Sequence, residues 1–157
     1  LQTIGSDQCS FSFNGKKSLG KDDFSKIPNG GPFIEDRFSV LYSEGVEKGR
    51  ISVNEFVDMI STQSAKIFGL FPQKGTIAIG SDADIVLFDP TVKRTISAKT
   101  HHMNVDYNAF EGLEVTGEPT SVLVRGEYVI KDKAFVGELG SGKYIRREVK
   151  SATKVNS

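Results

Sequence analysis

Three groups of residues in this 157-residue chain have types and spacing that could do chemistry. The first is Asp7, which follows the short apolar opening Leu1-Gln-Thr-Ile4 and the breakers Gly5 and Ser6. A carboxylate at the end of a buried strand can bind a divalent metal or take a proton from a metal-held water, because strand ends hold working residues rigidly at the rim of a pocket. The same Ser-Asp pair can instead stabilise a turn or cap a helix by bonding nearby amides. The second group is Pro28-Asn-Gly-Gly-Pro32, whose tight turns bring backbone groups close to whatever lies beside them, either a ligand or simply the next helix. The third is His101 and His102, with Asp82 and Asp84 upstream. Adjacent residues in an extended segment face opposite ways, so the two histidines are poor partners for one ion. Asp82 and Asp84 can share a face, but Gly80-Ser81 ahead of them suits a turn between strands.

The elements that must position these groups change character along the chain. Residues 1–5 read as a buried strand, and because Leu1 falls in its middle, further sequence upstream is expected. Residues 10–33 form a long aperiodic connection, more suited to a pocket wall than to a simple link. Ile34, Phe38, Leu41, Tyr42 and Val46 then recur at helical spacing, with Glu35 and Asp36 in the first turn and Gly49 as the stop. Ser52-Val-Asn-Glu55 is a capping box opening a second helix with Val53, Phe56, Val57, Ile60, Ile67 and Phe68 as its core stripe, closed by Gly69 and Pro72. From Gly75 the texture is antiparallel β, with strands expected at 76–79, 84–89, 93–97, 120–125 and 127–130. Arg125-Gly126-Glu127 and Lys131-Asp132-Lys133 read as hairpin turns of a meander that forms one layer of a sandwich. Helices followed by strands imply two structural units, with the boundary near Phe71 to Lys74. The stretch from Gly137, containing Gly140-Ser-Gly142 and Lys143-Tyr-Ile-Arg-Arg147, reads as an extended arm or tail.

Composition narrows the classes. With 38% hydrophobic and 25% charged residues and zero formal net charge, the chain can build a core and carries no uniform basic field for nucleic acid. No apolar run approaches the roughly 20 residues that span a bilayer, so no membrane partner is expected. A single cysteine, Cys9, excludes an internal disulfide and fits a reducing, cytoplasmic compartment.

Six segments carry a resemblance: Gly5-Ser-Asp-Gln-Cys-Ser-Phe11, Ile27-Pro-Asn-Gly-Gly31, Ile34-Glu-Asp-Arg37, Lys74-Gly-Thr-Ile77, Gly80-Ser-Asp-Ala-Asp-Ile-Val-Leu-Phe-Asp-Pro90 and Asp106-Tyr-Asn-Ala-Phe-Glu-Gly112. Together they resemble the C-terminal third of the dihydropyrimidinases and D-hydantoinases, within the cyclic amidohydrolase superfamily. Gly-Ser-Asp-Ala-Asp alone resembles the wider superfamily, whereas Ser-Asp-Gln-Cys and Asp-Tyr-Asn-Ala-Phe-Glu-Gly are similar to this branch.

The resemblance implies the end of a (β/α)8 TIM barrel joined to part of a β-sandwich. Residues 1–71 would be the last barrel strand and its helices, 72–136 the returning part of the sandwich, and 137–157 a C-terminal arm reaching a neighbouring subunit. It implies two divalent metal ions, usually zinc, bridged by a carboxylated lysine outside this chain, and a cytoplasmic homo-oligomer, dimer or tetramer. The activity implied for the full-length protein is ring opening of a cyclic ureide, a dihydropyrimidine or 5-substituted hydantoin, to an N-carbamoyl amino acid. Asp7 would be both metal ligand and catalytic residue, handling the proton of a hydroxide whose formation at neutral pH the cation makes possible. Asn29 would bind the ring amide of the substrate, largely through its backbone. Many members have His where this chain has Gln8, so a role assigned to that His does not transfer. Such a site uses four histidines, a carboxylated lysine and one aspartate, so the 157-residue chain alone is expected to lack activity. The collapsin response mediator proteins also resemble this family and give a non-catalytic scaffold as the alternative, and an independent β-sandwich interaction module is a further one.

Overall fold

The computed structural model describes residues 2–147. Its sheet has four strands in the order β1-β2-β3-β4: β1 (Ile85–Thr95), β2 (Glu114–Val124), β3 (Glu127–Lys131) and β4 (Ala134–Phe135). The expected strands at 84–89 and 93–97 are one continuous strand that runs through Pro90. Proline has no N–H to give a ladder, and β1 accommodates it because it lies at the sheet edge. Both expected hairpin turns are present. Arg125 and Gly126 have φ of 51° and 85°, and Asp132 and Lys133 have 49° and 67°; positive φ at both central residues is the turn that matches strand twist. Val124 pairs with Glu127 and Leu123 with Tyr128, then a register shift brings Val122 opposite Ile130. Residues 76–79, expected as a strand, are not one. Ile77 and Ile79 are 85% and 109% exposed, and β-formers gain little without cross-strand neighbours.

The two helical regions form where periodicity places them. The first runs from α1 (Arg37–Leu41) into a π-helical segment, Tyr42–Glu47, with Gly49 (φ 65°) following it. In the second, α2 (Val53–Val57) passes through Asp58–Thr62, again π-helical, to α3 (Gln63–Ile67). The capping box is complete: Ser52 Oγ accepts the Glu55 N–H at 3.2 Å while Glu55 Oε2 accepts the Ser52 N–H at 2.7 Å. The stripe itself is a correction. Phe56 is 4% exposed, but Val53, Val57, Ile67 and Phe68 are about half exposed, because a helical stripe buries only where another element reaches it.

Compactness divides the chain into two units. One contains Ser52–Phe88 with the segments before Gly5 and after Glu118; the other contains Gly5–Ile51 and Asp89–Glu118. In the first, Phe56 packs on Phe88 with ring centroids 6.3 Å apart. Gly75 has φ 82°, and a Cβ there would lie 2.5 Å from that of Ala65, so the loop after α3 requires glycine. Lys74 donates to Asp82 at 2.9 Å and to Asp84, which also accepts the Arg125 N–H at 2.8 Å. Burial works against the Lys74 charge, yet the two carboxylates raise its pKa, and its hydrogen bond lowers that of Asp82. The paired aspartates therefore tie down a turn, as their setting after Gly80-Ser81 suggests.

The second unit has a polar core beside Ile96 and Val115, which are 0% and 3% exposed. Asp36, 1% exposed, accepts from Arg94 Nη2 at 2.9 Å and Asn108 Nδ2 at 2.7 Å, and Arg94 Nε lies 3.3 Å from Glu118 Oε2. Ser43 Oγ accepts the Thr116 N–H at 3.2 Å. Asp36 and Glu35 thus precede α1 and bind distant side chains instead of serving its first turn. Of the expected arm, residues 137–147 carry no strand or helix, Arg125 Nη2 donates to Ser141 O at 2.6 Å, and the remainder lies outside the described residues.

Candidate functional site

The candidate site belongs entirely to the unit formed by Gly5–Ile51 and Asp89–Glu118. The expected strand ahead of Asp7 is absent: residues 2–7 carry no ladder, and the segment has one isolated parallel bridge, Gln8 to Gly31. A strand exists through its neighbour's hydrogen bonds, and among the described residues that bridge is all the pairing available. Asp7 sits at φ 48°, a left-handed conformation that short polar side chains tolerate and that marks a sharp bend. Its side chain is exposed, and among the described residues its carboxylate takes no hydrogen bond or ion pair.

The bridge sets the Asp7 segment beside the Asn29 turn. Gln8 Oε1 accepts the N–H groups of Phe33 and Ile34 at 2.8 and 2.9 Å, stapling the two segments from the far side of the turn. Gly30 has φ 94°, and a Cβ on it would meet the Cys9 Cβ and carbonyl oxygen at 2.5 Å. Only glycine lets the backbones approach this closely. Lys17 reaches the turn from the opposite side of the long connection, donating through Nζ to Pro28 O and, at 2.5 Å, to Gly30 O, with Phe11 under the ammonium at 5.7 Å. Asn29, between those carbonyls, is exposed and makes no hydrogen bond among the described residues.

The connection itself is held by Asp106. Its carboxylate accepts the Phe13 N–H at 2.6 Å and the Asn14 N–H at 3.1 Å, and these two bonds, Asn14's first, lower its pKa. The Ser12 and Phe13 carbonyls then accept from the N–H groups of Lys17 and Ser18, starting the 3-10 turn Lys17–Gly20 that carries the lysine. Gln8 attracts notice in the sequence only as an unusual residue, and nothing local marks Lys17, because its partners are 11 and 13 residues away.

The histidines diverge as adjacency predicts. His101 Nε2 lies 3.0 Å from Val105 O, whereas His102 Nδ1 lies 2.8 Å from Glu35 Oε1. Among the described residues no cluster of three or more His, Cys, Asp or Glu side chains could hold a metal. Asp7 fits such a role as a single oxygen donor; these residues do not complete a metal site.

The amidohydrolase family matches residues 2–129, and the chain belongs to it. Within that family it is similar to proteins named D-hydantoinase and dihydropyrimidinase. The chain is 69% identical over 147 residues to a D-hydantoinase of Geobacillus stearothermophilus, covering 94% of this chain and 31% of the relative. It is 51% identical over 148 residues to a dihydropyrimidinase of Rattus norvegicus, covering 94% of this chain and 28% of the relative. A crystal structure of a D-hydantoinase superposes with a TM-score of 0.91 at 68% identity, over 94% of this chain and 32% of that one. An L-hydantoinase from Arthrobacter aurescens superposes with a TM-score of 0.74 at 32% identity, over 88% and 30%. The chain therefore spans about a third of the length of the relatives it matches.

Proposed function

We propose that this chain is part of a metal-dependent cyclic amidohydrolase that opens dihydropyrimidines or 5-substituted hydantoins to N-carbamoyl amino acids. The observation that carries the reading is the carboxylate of Asp7, unengaged among the described residues, on a segment bridged to the Asn29 turn, in a chain 69% identical to a D-hydantoinase. Residues 1–71 are read as the end of a TIM barrel, where the half-exposed helical stripe would pack. Residues 72–136 are read as part of a β-sandwich and 137–157 as an arm used in a homotetramer or dimer. Two divalent ions, zinc in the usual case, would be held by Asp7 together with a carboxylated lysine and histidines outside this chain. The reading includes a cytoplasmic location and a small cyclic ureide as partner, with no nucleic acid. No helix among the described residues is long and apolar enough to cross a membrane. The comparisons give no support to the scaffold alternative.

When bound, the metal supplies Lewis-acid activation of water and of the substrate carbonyl. The chain's own residues do the rest of what falls to it. Asp7 would hold the metal through its carboxylate, and the same group would take a proton from the attacking water and give it to the ring nitrogen as the C–N bond breaks. Asn29 presents its backbone to the ring amide, which fixes the scissile carbonyl against the nucleophile.

The test compares the metal-loaded full-length protein with the isolated 157-residue chain on dihydrouracil and hydantoin. The full-length protein opens a ring and loses activity on chelation, while the chain alone is inactive. A full-length protein inert to both rings, or a chain active alone, would overturn the proposal.

A further inference from the structure

We infer that Lys17 is a positioning residue for the ureide, acting through the peptide between Pro28 and Asn29; this rests on the hydrolase reading above. A trans peptide is planar, with its C=O and N–H pointing in opposite directions. The Pro28–Asn29 bond is trans, the cis peptide being at Phe71–Pro72. With Pro28 O drawn onto the Lys17 ammonium, the Asn29 N–H is forced to point away from the lysine. The second bond, to Gly30 O, pins the other side of Asn29, so the residue is held at both flanks while its own groups stay unengaged among the described residues. An ammonium on the carbonyl also polarises that peptide and strengthens its N–H as a donor.

The ligand this suits is a carbonyl oxygen of the ring. Lys17 never touches the substrate; it sets the direction and strength of a donor that does. Without it, the Pro28-Asn-Gly-Gly31 backbone, with glycine at two of four positions, has few restraints on that peptide's orientation. The other ties on the turn, Gln8 on Phe33 and Ile34, the bridge to Gly31 and the packing of Gly30 on Cys9, lie downstream of Asn29, and none of them bonds the Pro28–Asn29 peptide.

The experiment is steady-state kinetics of the metal-loaded full-length protein and its Lys17→Met and Lys17→Arg variants on dihydrouracil or hydantoin, with bound metal measured alongside. Lys17→Met is expected to raise KM about tenfold, the loss of one oriented hydrogen bond, with kcat within about threefold and metal content unchanged. Lys17→Arg, which can still donate to both carbonyls, recovers most of the affinity. Should Lys17→Met fail to fold, Lys17→Gln, able to donate to one carbonyl, replaces it under the same criterion. An unchanged KM, or a fall in kcat and melting temperature at constant KM, would overturn the inference alone. A wild-type protein inert to the rings would overturn the hydrolase reading and this inference with it.

Discussion

A buried carboxylate is tolerable only where its charge is matched, and Asp36 meets that condition through Arg94 and Asn108. Removing it would leave the Arg94 guanidinium with Glu118 at 3.3 Å and Ser39 at 3.4 Å but without its nearest partner. Asp36→Ala is therefore expected to cost about 3 kcal/mol, at the lower end for breaking a buried pair, because Glu118 remains. Urea unfolding of the protein measures this, and a loss under about 0.5 kcal/mol, typical of surface changes, would contradict it. The role of Asp36 is not legible locally. In the sequence it reads as an acidic residue in a helix's first turn, and its partners lie 58 and 72 positions on. Asp7 is legible as a chemical group at a chain break, but its left-handed backbone and its missing strand are not.

At the scale of elements, the long connection behaves as one piece fastened at Asp106. Two backbone N–H groups hold that carboxylate's pKa below its unfolded value, near 4. The sign follows: the contribution is fully present above the unfolded pKa and is lost as pH falls through the folded one. Asp106→Asn should lower the melting temperature at pH 7, and the gap from wild type should close as the pH falls from the unfolded carboxylate range down through the lowered folded pKa. A gap of the same size at both ends of that range would show that the carboxylate's charge does not hold the loop. Elements set by local chemistry are the legible ones. The Ser52–Glu55 capping box and both hairpin turns need only neighbouring residues. The strand expected at 76–79 fails because its existence depends on a partner, and β1 runs through Pro90 because an edge position excuses the missing N–H.

At the scale of the chain as a whole, a member of the amidohydrolase family spans about a third of the length of the relatives it matches. Four of the six residues of the second helical stripe are about half exposed, and among the described residues Asp7 belongs to no cluster that could hold a metal. The motifs that signal the family serve largely to build this frame. Asp82 and Asp84 hold Lys74, Asp106 holds the connection, and Glu111 accepts from Ser97 and the Ala98 N–H. Those ties could not be read from spacing, whereas the close approach at Gly30 could, because glycines and prolines mark where backbone must come close.

The role proposed for Asp7 is that of this chain's ligand in a ring-opening metal site. Its most direct test is the metal content and dihydrouracil turnover of the full-length protein before and after Asp7→Ala. The account predicts loss of at least part of the bound metal and a fall in turnover of about a thousandfold or more, since a ligand and a proton carrier go together. Full metal content with turnover near that of wild type would contradict it.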